Sequence, residues 1–189
     1  MDKLHIAIAE NLKKLRKDRK LSLDKISTLT GVSKSMLSQI ERGESSPTVA
    51  TLWKIATGLH ISFTTFMESF DAGTVQINNN DLNPLKSDHG HFRIYPIFPF
   101  DKNMGFEILS IEIDGGSHSS STPHEDGTEE FVTVYEGVLT LNVGSEEYNL
   151  HAGSSLRFHG NQKHCYSNPE KGIARFYNVI YYNNHSVIK

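Results

Sequence analysis

The sequence has one cysteine, one tryptophan and no apolar run long enough to cross a bilayer. A single thiol, Cys165, cannot form an intrachain disulfide, which fits a chain that folds in a reducing compartment. The lack of a long apolar run argues against a membrane-spanning helix. In the N-terminal stretch MDKLHIAIAENLKKLRK the positive charge follows the apolar residues and no small-residue cleavage site is present, so we expect no signal peptide there. These absences predict a cytoplasmic protein that does not enter a membrane.

Charge is distributed unevenly along the 189 residues. Residues 1–70 hold 11 Lys and Arg against 7 Asp and Glu, a balance of +4, whereas residues 71–189 hold 8 against 15, a balance of −7. A basic module joined to an acidic one predicts that only the first module meets phosphate groups.

Two short helical patterns joined by a tight turn lie between Ser22 and Gly43. The hydroxyls of Ser22 and Ser33 can cap helix starts, and Gly31 stands where the first of the two helices must end. In the second helix the polar side chains share one face, as a helix that enters the DNA major groove requires. These side chains are Lys34, Ser35, Ser38 and Gln39.

A resemblance to a known family lies in the segment LRKDRKLSLDKISTLTGVSKSMLSQIERGESSPTVATLWKIATGL. It resembles the helix-turn-helix domain of the lambda and 434 repressors, the XRE family, over residues 4–68. The resemblance implies a DNA-binding bundle over residues 1–70, in which we expect five helices, the fifth at Ser62–Phe70. Leu23 stands where many such domains carry a glutamine that helps to hold the DNA. The predicted contacts to the DNA backbone are Arg42, Ser46 and Thr48, the last two at the start of a fourth helix.

Residues 71–90 and 91–189 differ from the basic module in their pattern. Asn, Asp, Gly and Pro dominate residues 71–90, which indicates a linker. Residues 91–189 contain short stretches rich in β-branched and aromatic residues, separated by Gly, Asn or Ser turns. Many short strands without intervening helices predict a sandwich or barrel. The expected fold class is therefore multidomain, with helices followed by strands.

Two segments of the strand-rich part resemble the paired motifs of the cupin barrel, a double-stranded β-helix or jelly roll. The first motif keeps the spacing of His124, Glu130 and Gly137, but Asp126 replaces its second histidine. The second motif keeps the spacing of three positions, while its proline and one glycine are replaced. The retained positions are Gly153, His164 and Asn168. The resemblance implies a single cupin domain over residues 91–189.

The two motifs also predict a metal site formed by His124, Glu130 and His164. Strands on opposite sides of a small barrel can converge on one interior point. Two imidazoles and a carboxylate suit zinc, which we favour, and also iron, manganese or nickel, with an open position for a ligand. Asp126 is either a fourth ligand or a loop carboxylate, and Tyr166 is predicted to line the pocket. The alternative is a pocket without metal, in which these side chains form hydrogen bonds.

A basic DNA reader joined to an acidic barrel predicts a transcription regulator whose operator affinity responds to a small molecule in the pocket. One recognition helix reads only a half-site, so we expect a homodimer on a palindromic operator. The architecture resembles a group of bacterial regulators, above all the sulfur-utilisation branch, which implies an amino acid or sulfur compound as effector. Two alternatives remain: a metal-dependent cupin oxygenase or isomerase fused to a DNA-binding module, and an interaction scaffold that binds no DNA.

Overall fold

A computed structural model describes the chain over residues 3–67, 74–101 and 103–183. In these ranges four α-helices are followed by ten β-strands. The helices are α1 (Lys3–Asp18), α2 (Leu23–Thr30), α3 (Lys34–Glu41) and α4 (Val49–Leu59). The strands are β1 (Leu85–Ser87), β2 (Phe92–Asp101), β3 (Phe106–Ile113), β4 (His118–Ser121), β5 (Thr128–Glu136), β6 (Val138–Val143), β7 (Glu146–His151), β8 (Ser155–His159), β9 (His164–Ser167) and β10 (Ala174–Tyr182). None of the described helices has both the length and the apolar character that crossing a bilayer requires.

Hydroxyl side chains cap the starts of α2, α3 and α4. The side-chain oxygen of each cap accepts a hydrogen bond from a backbone N–H three residues further on, which satisfies a donor that the helix itself leaves unpaired. Gly31 ends α2 in the left-handed region with φ 68° and turns the chain into α3. The capping residues are Ser22, Ser33 and Thr48. The predicted pair of short helices joined by a tight turn is confirmed.

The predicted fifth helix is not confirmed. Within Ser62–Phe70 the described residues form one short 3-10 helix, Phe63–Phe66, and residues 68–70 lie outside the described part of the chain. Thr64 has a β-branched side chain that disfavours a helix, and its N–H and hydroxyl both donate to the Glu107 carboxylate. The aromatic side chains at both ends of the 3-10 helix, Phe63 and Phe66, are nevertheless buried in the core.

The ten strands form two antiparallel sheets. The six-stranded sheet has the order β1-β2-β3-β10-β5-β8, and the four-stranded sheet has the order β4-β9-β6-β7. Inward side chains of the two sheets meet, as shown by the rings of Tyr166 and Phe176, whose centroids are 5.4 Å apart. Neither sheet closes on itself, so the closed barrel is not confirmed, and the strand-rich domain consists of two facing sheets.

Strand β10 lies in the middle of the six-stranded sheet, between β3 and β5. Its side chains alternate between two surfaces, as the pleat of a strand requires. We call the surface that meets the smaller sheet the inner face, and the opposite surface the outer face. On β10 the buried inner residues are Phe176, Asn178, Ile180 and Tyr182, and the outer residues are Tyr177, Val179 and Tyr181.

The helical and strand-rich domains are joined by buried hydrogen bonds. Glu107 on β3 is completely buried, and its carboxylate accepts hydrogen bonds from the Thr64 N–H, the Thr64 hydroxyl and the Tyr182 hydroxyl. The Phe63 N–H donates in turn to the Tyr182 hydroxyl over 3.4 Å. Desolvation raises the pKa of Glu107, although these donors oppose the shift. The contact between the domains is therefore polar, buried and specific.

Strand β1 lies within residues 71–90, the segment predicted to be a linker. It pairs with β2, buries Leu85 and contacts α4. Part of this segment therefore packs against both domains, and the domain limits at residues 70 and 90 stay a prediction.

Candidate functional site

Helix α3, the predicted base-reading helix, presents a polar surface. Lys34, Ser35 and Gln39 are exposed, and Ser38 is half-buried. The apolar side of the helix packs into the bundle and leaves these four side chains on the other side. The fully buried residues of α3 are Leu37 and Ile40.

Two predicted DNA-binding cations are paired with neighbouring carboxylates. Lys34 Nζ lies 2.8 Å from Asp24 Oδ2, and the Arg42 guanidinium donates two hydrogen bonds of 2.7 Å to the Glu44 carboxylate. Both pairs are exposed, so each contributes little stability and leaves the cation able to exchange its partner for a phosphate. Of the two remaining predicted backbone contacts, Ser46 is hydrogen-bonded to His5 and Thr48 caps α4.

Three buried side chains of the strand-rich domain converge on one point. His124 precedes β5, Glu130 lies on β5 and His164 begins β9. Glu130 Oε1 is 3.0 Å from His124 Nε2 and 3.2 Å from His164 Nε2. One donor atom from each residue lies within 4.8 Å of the others. The structure thus brings together the three residues that the cupin motifs predicted as ligands.

Hydrogen bonds from outside this cluster orient its side chains. His164 Nδ1 lies 2.8 Å from the Gln162 carbonyl oxygen, which places the proton on Nδ1 and leaves the Nε2 lone pair facing the cluster. The Tyr166 hydroxyl and Asn178 Nδ2 donate to Glu130 Oε2 over 2.5 and 2.7 Å. The second carboxylate oxygen, Oε1, is thereby directed at the two imidazoles.

The donor set fits a divalent cation. Although Glu130 Oε1 lies close to both imidazoles, neither it nor His164 Nε2 makes a hydrogen bond of acceptable geometry with the described residues. Such buried groups cost about 1–3 kcal/mol each unless something pairs with them. Desolvation raises the pKa of Glu130, but the imidazoles of His124 and His164 outweigh it and lower this pKa to about 2. Burial lowers the pKa of His164. A carboxylate and a neutral imidazole are the forms that coordinate metal.

The other predicted site residues lie around this cluster. Asp126 is exposed, and its Oδ1 accepts a hydrogen bond of 2.9 Å from Asn161 Nδ2. It does not belong to the group of converging donor atoms. Tyr166 lines the adjoining cavity, and its ring also packs edge-on against the His164 imidazole.

A cavity of about 200 Å³ adjoins the cluster. Strands β2 and β3 supply an apolar wall that includes Ile94 and Leu109, and β4 contributes Ser119–Ser121 to the lining. Helix α4 of the helical domain supplies a third wall through Val49 and Trp53. The cavity therefore reaches from the cluster to the helical domain.

Three residues of the site were not assigned a role from the sequence. Asn178 occupies an inward position of β10, where an amide among apolar neighbours is a usable signal of a buried polar contact. At Gly160 a Cβ would lie 3.0 Å from His124 Cδ2 and 3.1 Å from Glu130 Oε1, so only glycine leaves the cluster undisturbed. Trp53 is half-buried and stacks on His124.

Comparison with known proteins places both halves of the chain in families. Residues 12–66 match the family model described as helix-turn-helix, and residues 110–180 match the model described as cupin domain. The crystal structure of an HTH_3 family transcriptional regulator from Vibrio cholerae matches with a TM-score of 0.79 and 39% identity, covering 95% of this chain and 97% of that one. The order of the two domains is thus the one predicted.

Two curated relatives match over nearly their whole length. The chain is 41% identical over 182 residues to the HTH-type transcriptional regulator SutR of Escherichia coli K12, covering 96% of this chain and 98% of SutR. It is 27% identical over 173 residues to the HTH-type transcriptional regulator PuuR of the same organism, with 90% and 92% covered. The chain therefore belongs to the family of HTH-type transcriptional regulators in which an XRE-type DNA-binding domain precedes a cupin domain.

Proposed function

We propose that this regulator binds a palindromic operator as a homodimer in the cytoplasm, and that a small effector in the cupin pocket changes its operator affinity. His124, Glu130 and His164 would hold a divalent metal ion, zinc before iron, manganese or nickel, beside the effector. One observation carries the proposal: three buried donor atoms converge beside a cavity that also touches the DNA-binding domain. A cation would pair the two donor atoms that are otherwise unpaired.

The metal supplies an electrophilic position to which a donor atom of the effector can bind. The residues of the chain do the remaining work. Tyr166 and Asn178 hold one oxygen of Glu130 so that the other faces the ion, and the Gln162 carbonyl sets the orientation of His164. Such outer partners typically contribute about 10–100-fold in metal affinity.

On the DNA side, α3 lies in the major groove of each half-site. Gln39 suits adenine, Lys34 suits guanine or a phosphate, and the two serines of α3 add hydrogen bonds to base edges. Arg42 and the hydroxyls of Ser46 and Thr48 hold the DNA backbone. For this, Lys34 and Arg42 exchange their carboxylate partners for phosphates of the DNA. The polar, exposed surface of α3 supports this assignment.

The homodimer is supported by the outer face of the six-stranded sheet. An apolar row crosses four strands there, because Phe98 lies opposite Ile108, Ile108 opposite Val179 and Val179 opposite Phe131. The residues at the two ends of this row, Phe98 and Phe131, are each 39% exposed. Exposed tyrosines of β5 and β10 extend the apolar surface: Tyr135, Tyr177 and Tyr181. An antiparallel sheet usually turns a polar face to water, so a face of this composition indicates a protein partner.

Charged residues at one end of the outer face favour a second copy of the chain as that partner. Arg93 and Arg175 both pair with Glu112, and Arg175 also pairs with Glu136. Both signs of charge are thus present, so two identical faces related by a two-fold axis can place opposite charges against each other.

The proposal is tested by measuring operator affinity of the full-length protein while small metal-coordinating amines, thiols and carboxylates are added. The operator fragment is selected from a random DNA pool. We expect at least one compound to change Kd by about fivefold or more in zinc-loaded protein. His164→Ala should lose zinc and the response, whereas Asp126→Ala should behave as the natural protein. Indifference to every compound, or stoichiometric zinc in His164→Ala, would contradict the proposal.

Its DNA-reading part has a separate test. Gln39→Ala should relax sequence preference at one base pair by about 1–3 kcal/mol, measured with operators substituted at each position. Gln76→Ala, an exposed glutamine far from α3 in the sequence, is the matched control. An unchanged operator profile for Gln39→Ala would show that α3 is not the reading helix.

The donor set also supports a second candidate function. Two histidines and one carboxylate with open positions form the ligand set of non-haem iron oxygenases. The chain would then be a metal-dependent cupin enzyme fused to a DNA-binding module. Oxygen uptake by iron-loaded protein in the presence of candidate substrates would favour this candidate, and no uptake by the iron-loaded protein would favour the regulator.

A further inference from the structure

The cavity is bounded by both domains. While strands of the cupin domain form most of it, α4 of the DNA-binding domain contributes Val49, Ala50 and Trp53. Val49 and Ala50 follow directly after Thr48, which caps the helix. A molecule in the cavity therefore touches the first turns of the same helix whose cap is proposed to hold a DNA phosphate.

Trp53 connects this wall to the metal cluster. Its indole stacks on the His124 imidazole, with ring centroids 4.5 Å apart and 30° between the planes. It also stacks on Phe63, with centroids 4.3 Å apart and 16° between the planes. Phe63 is completely buried, so Trp53 bridges the bundle core and one of the three proposed ligands. Rings packed at these distances do not move independently.

Further contacts of α4 and of the 3-10 helix fix the position of the helical domain relative to the cupin domain. His60, which caps the C-terminal end of α4, is in contact with Glu125, the neighbour of His124. Thr64 donates to the buried Glu107 carboxylate. These contacts anchor the C-terminal end of α4. A ligand in the cavity that displaces α4 would therefore move its N-terminal end, next to Thr48 and Ser46.

The lining restricts the chemistry of an occupant. Of the described residues that line the cavity, none is Lys or Arg, and the Glu130 carboxylate lies beside it. A volume of about 200 Å³ is below the roughly 300 Å³ at which pockets for drug-sized ligands begin. Asn178 lines the cavity, and its buried Oδ1 has no hydrogen-bond partner among the described residues, so it can accept one hydrogen bond.

We propose that the cavity is a ligand site built jointly by the cupin and DNA-binding domains, and that Trp53 passes the presence of the ligand to α4. The ligand is a small molecule without net negative charge, with an apolar body, one metal-coordinating atom and an N–H or O–H donor for Asn178. Phosphorylated compounds are disfavoured, because the lining offers no cationic side chain to support the proposed ion in holding a phosphate. The inference rests on the proposed function, since the ligand binds at the proposed metal ion.

Trp53 is the single tryptophan of the chain, so its fluorescence reports on the cavity of the full-length protein. Co²⁺ is the metal probe, because its absorption bands report coordination and it quenches nearby indoles. We expect Co²⁺ to quench most of the emission of the natural protein and none of the emission of His164→Ala. Unquenched emission despite a coordinated Co²⁺ spectrum would overturn the assignment of Trp53 to the site.

Imidazole and inorganic phosphate then test the ligand class at pH 8. Imidazole is small, mostly uncharged and carries both a coordinating nitrogen and an N–H. We expect it to change the Co²⁺ spectrum and to shift operator Kd by about fivefold or more, whereas phosphate at the same concentration does neither. An equal response to phosphate, or no response to imidazole, would overturn the assigned class.

Three variants test the role of α4. The operator Kd of Trp53→Leu with imidazole, compared with the Kd of the same variant without imidazole, should shift by less than about twofold, below the range of typical allosteric coupling. Trp53→Phe, which keeps a stacking ring, should retain the shift. Ala50→Leu enlarges a side chain at the exposed α4 rim of the cavity, and should weaken imidazole binding about tenfold or more, roughly the effect of a lost contact of 1.4 kcal/mol. Tyr148→Leu removes an exposed aromatic of β7 and serves as the control.

The outcomes separate this inference from the proposed function. If Co²⁺ does not bind the natural protein, the proposed function fails together with the inference. If Co²⁺ and imidazole change operator affinity but Trp53→Leu and Ala50→Leu respond as the natural protein does, only the inference fails. If Trp53→Leu does not fold, an unchanged imidazole affinity in Ala50→Leu still overturns it.

Discussion

The inner and outer faces of the six-stranded sheet differ sharply, although the same strands form both. On β10, Asn178 is 2% exposed and contacts the Glu130 carboxylate, while its neighbour Tyr177 is 39% exposed on the outer face. The inner face concentrates buried polar groups around one point. The outer face spreads aromatic and aliphatic side chains over four strands, with ion pairs at its edge.

The difference indicates two separate tasks. A buried polar group persists only where a partner satisfies it, so the cluster of the inner face indicates a bound ion. Exposed apolar side chains in a continuous row indicate a protein contact. Changes on the inner face should therefore alter metal and effector binding without changing oligomeric state, and changes on the outer face should do the reverse.

The largest expected effect belongs to Glu130→Ala on the inner face. Loss of the only carboxylate among the three proposed ligands should lower zinc affinity by more than the roughly 10–100-fold that loss of an outer partner costs. Zinc competition with a chromogenic chelator measures it, and sedimentation should still show the dimer. Asp126→Ala is the matched control. If Glu130→Ala were monomeric, the conclusion that the two faces have separate tasks would be wrong.

The second-largest effect is expected for Val179→Lys, a substitution in the apolar row of the outer face. The two-fold axis places the new cation in both copies, and like charges in an interface cost several kcal/mol, so we expect the dimer to weaken about 100-fold or more. Sedimentation over a concentration series measures this, while zinc affinity stays unchanged. Tyr148→Lys places the same charge on β7, outside the outer face, and should leave the dimer intact. A monomeric natural protein would refute the interface.

Two tyrosine-to-phenylalanine variants compare how the loss of one hydroxyl at the metal site and on the outer face changes zinc affinity. Tyr166→Phe removes the hydroxyl that donates to Glu130 Oε2 and should lower zinc affinity about 10–100-fold. Tyr181→Phe removes a hydroxyl from the outer face, where the side chain is 38% exposed, and should leave zinc affinity unchanged. Equal zinc affinities for both variants would show that the hydrogen bond to Glu130 does not tune the site.

The smallest effect is expected at the edge of the outer face. The Arg93 guanidinium, helped by His91, lowers the pKa of Asp114 to about 2. Since this folded-state pKa lies below the usual value of about 3.9, the stabilisation is present above pH 4 and is lost as pH falls toward 2. The carboxylate is partly exposed, so the contribution is below about 1 kcal/mol. The difference in melting temperature between the natural protein and Asp114→Asn should shrink over that pH range. A constant difference would contradict the assignment.

Local chemistry made much of the fold predictable. Caps such as Ser22 and Ser33 and the left-handed Gly31 act within a few residues, so the sequence marks the ends of α2 and α3 correctly. The fifth helix was wrong in its described part for a long-range reason. Thr64 donates to Glu107, which lies 43 residues away in the sequence, and no local sequence pattern predicts such a contact.

The candidate site was predictable only in part for the same reason. Motif spacing identified His124, Glu130 and His164, because two strands and a loop carry them at fixed intervals. Asn178 reaches Glu130 only through the register of β10 with β5, 48 residues further along the chain. Trp53 reaches His124 across the domain boundary. Strand register and domain docking are set by the whole fold, and the sequence alone does not specify them locally.

The buried carboxylate of Glu107 has a consequence for how the molecule melts and moves. Separating the two domains would deprive that carboxylate of the Thr64 donors and would open the hydrogen bond between Phe63 and Tyr182. We therefore expect a single cooperative thermal transition for the whole subunit, with no free pivoting between its halves. Apart from the local displacement proposed at the start of α4, rearrangement on the operator would then consist of one whole subunit rotating against the other.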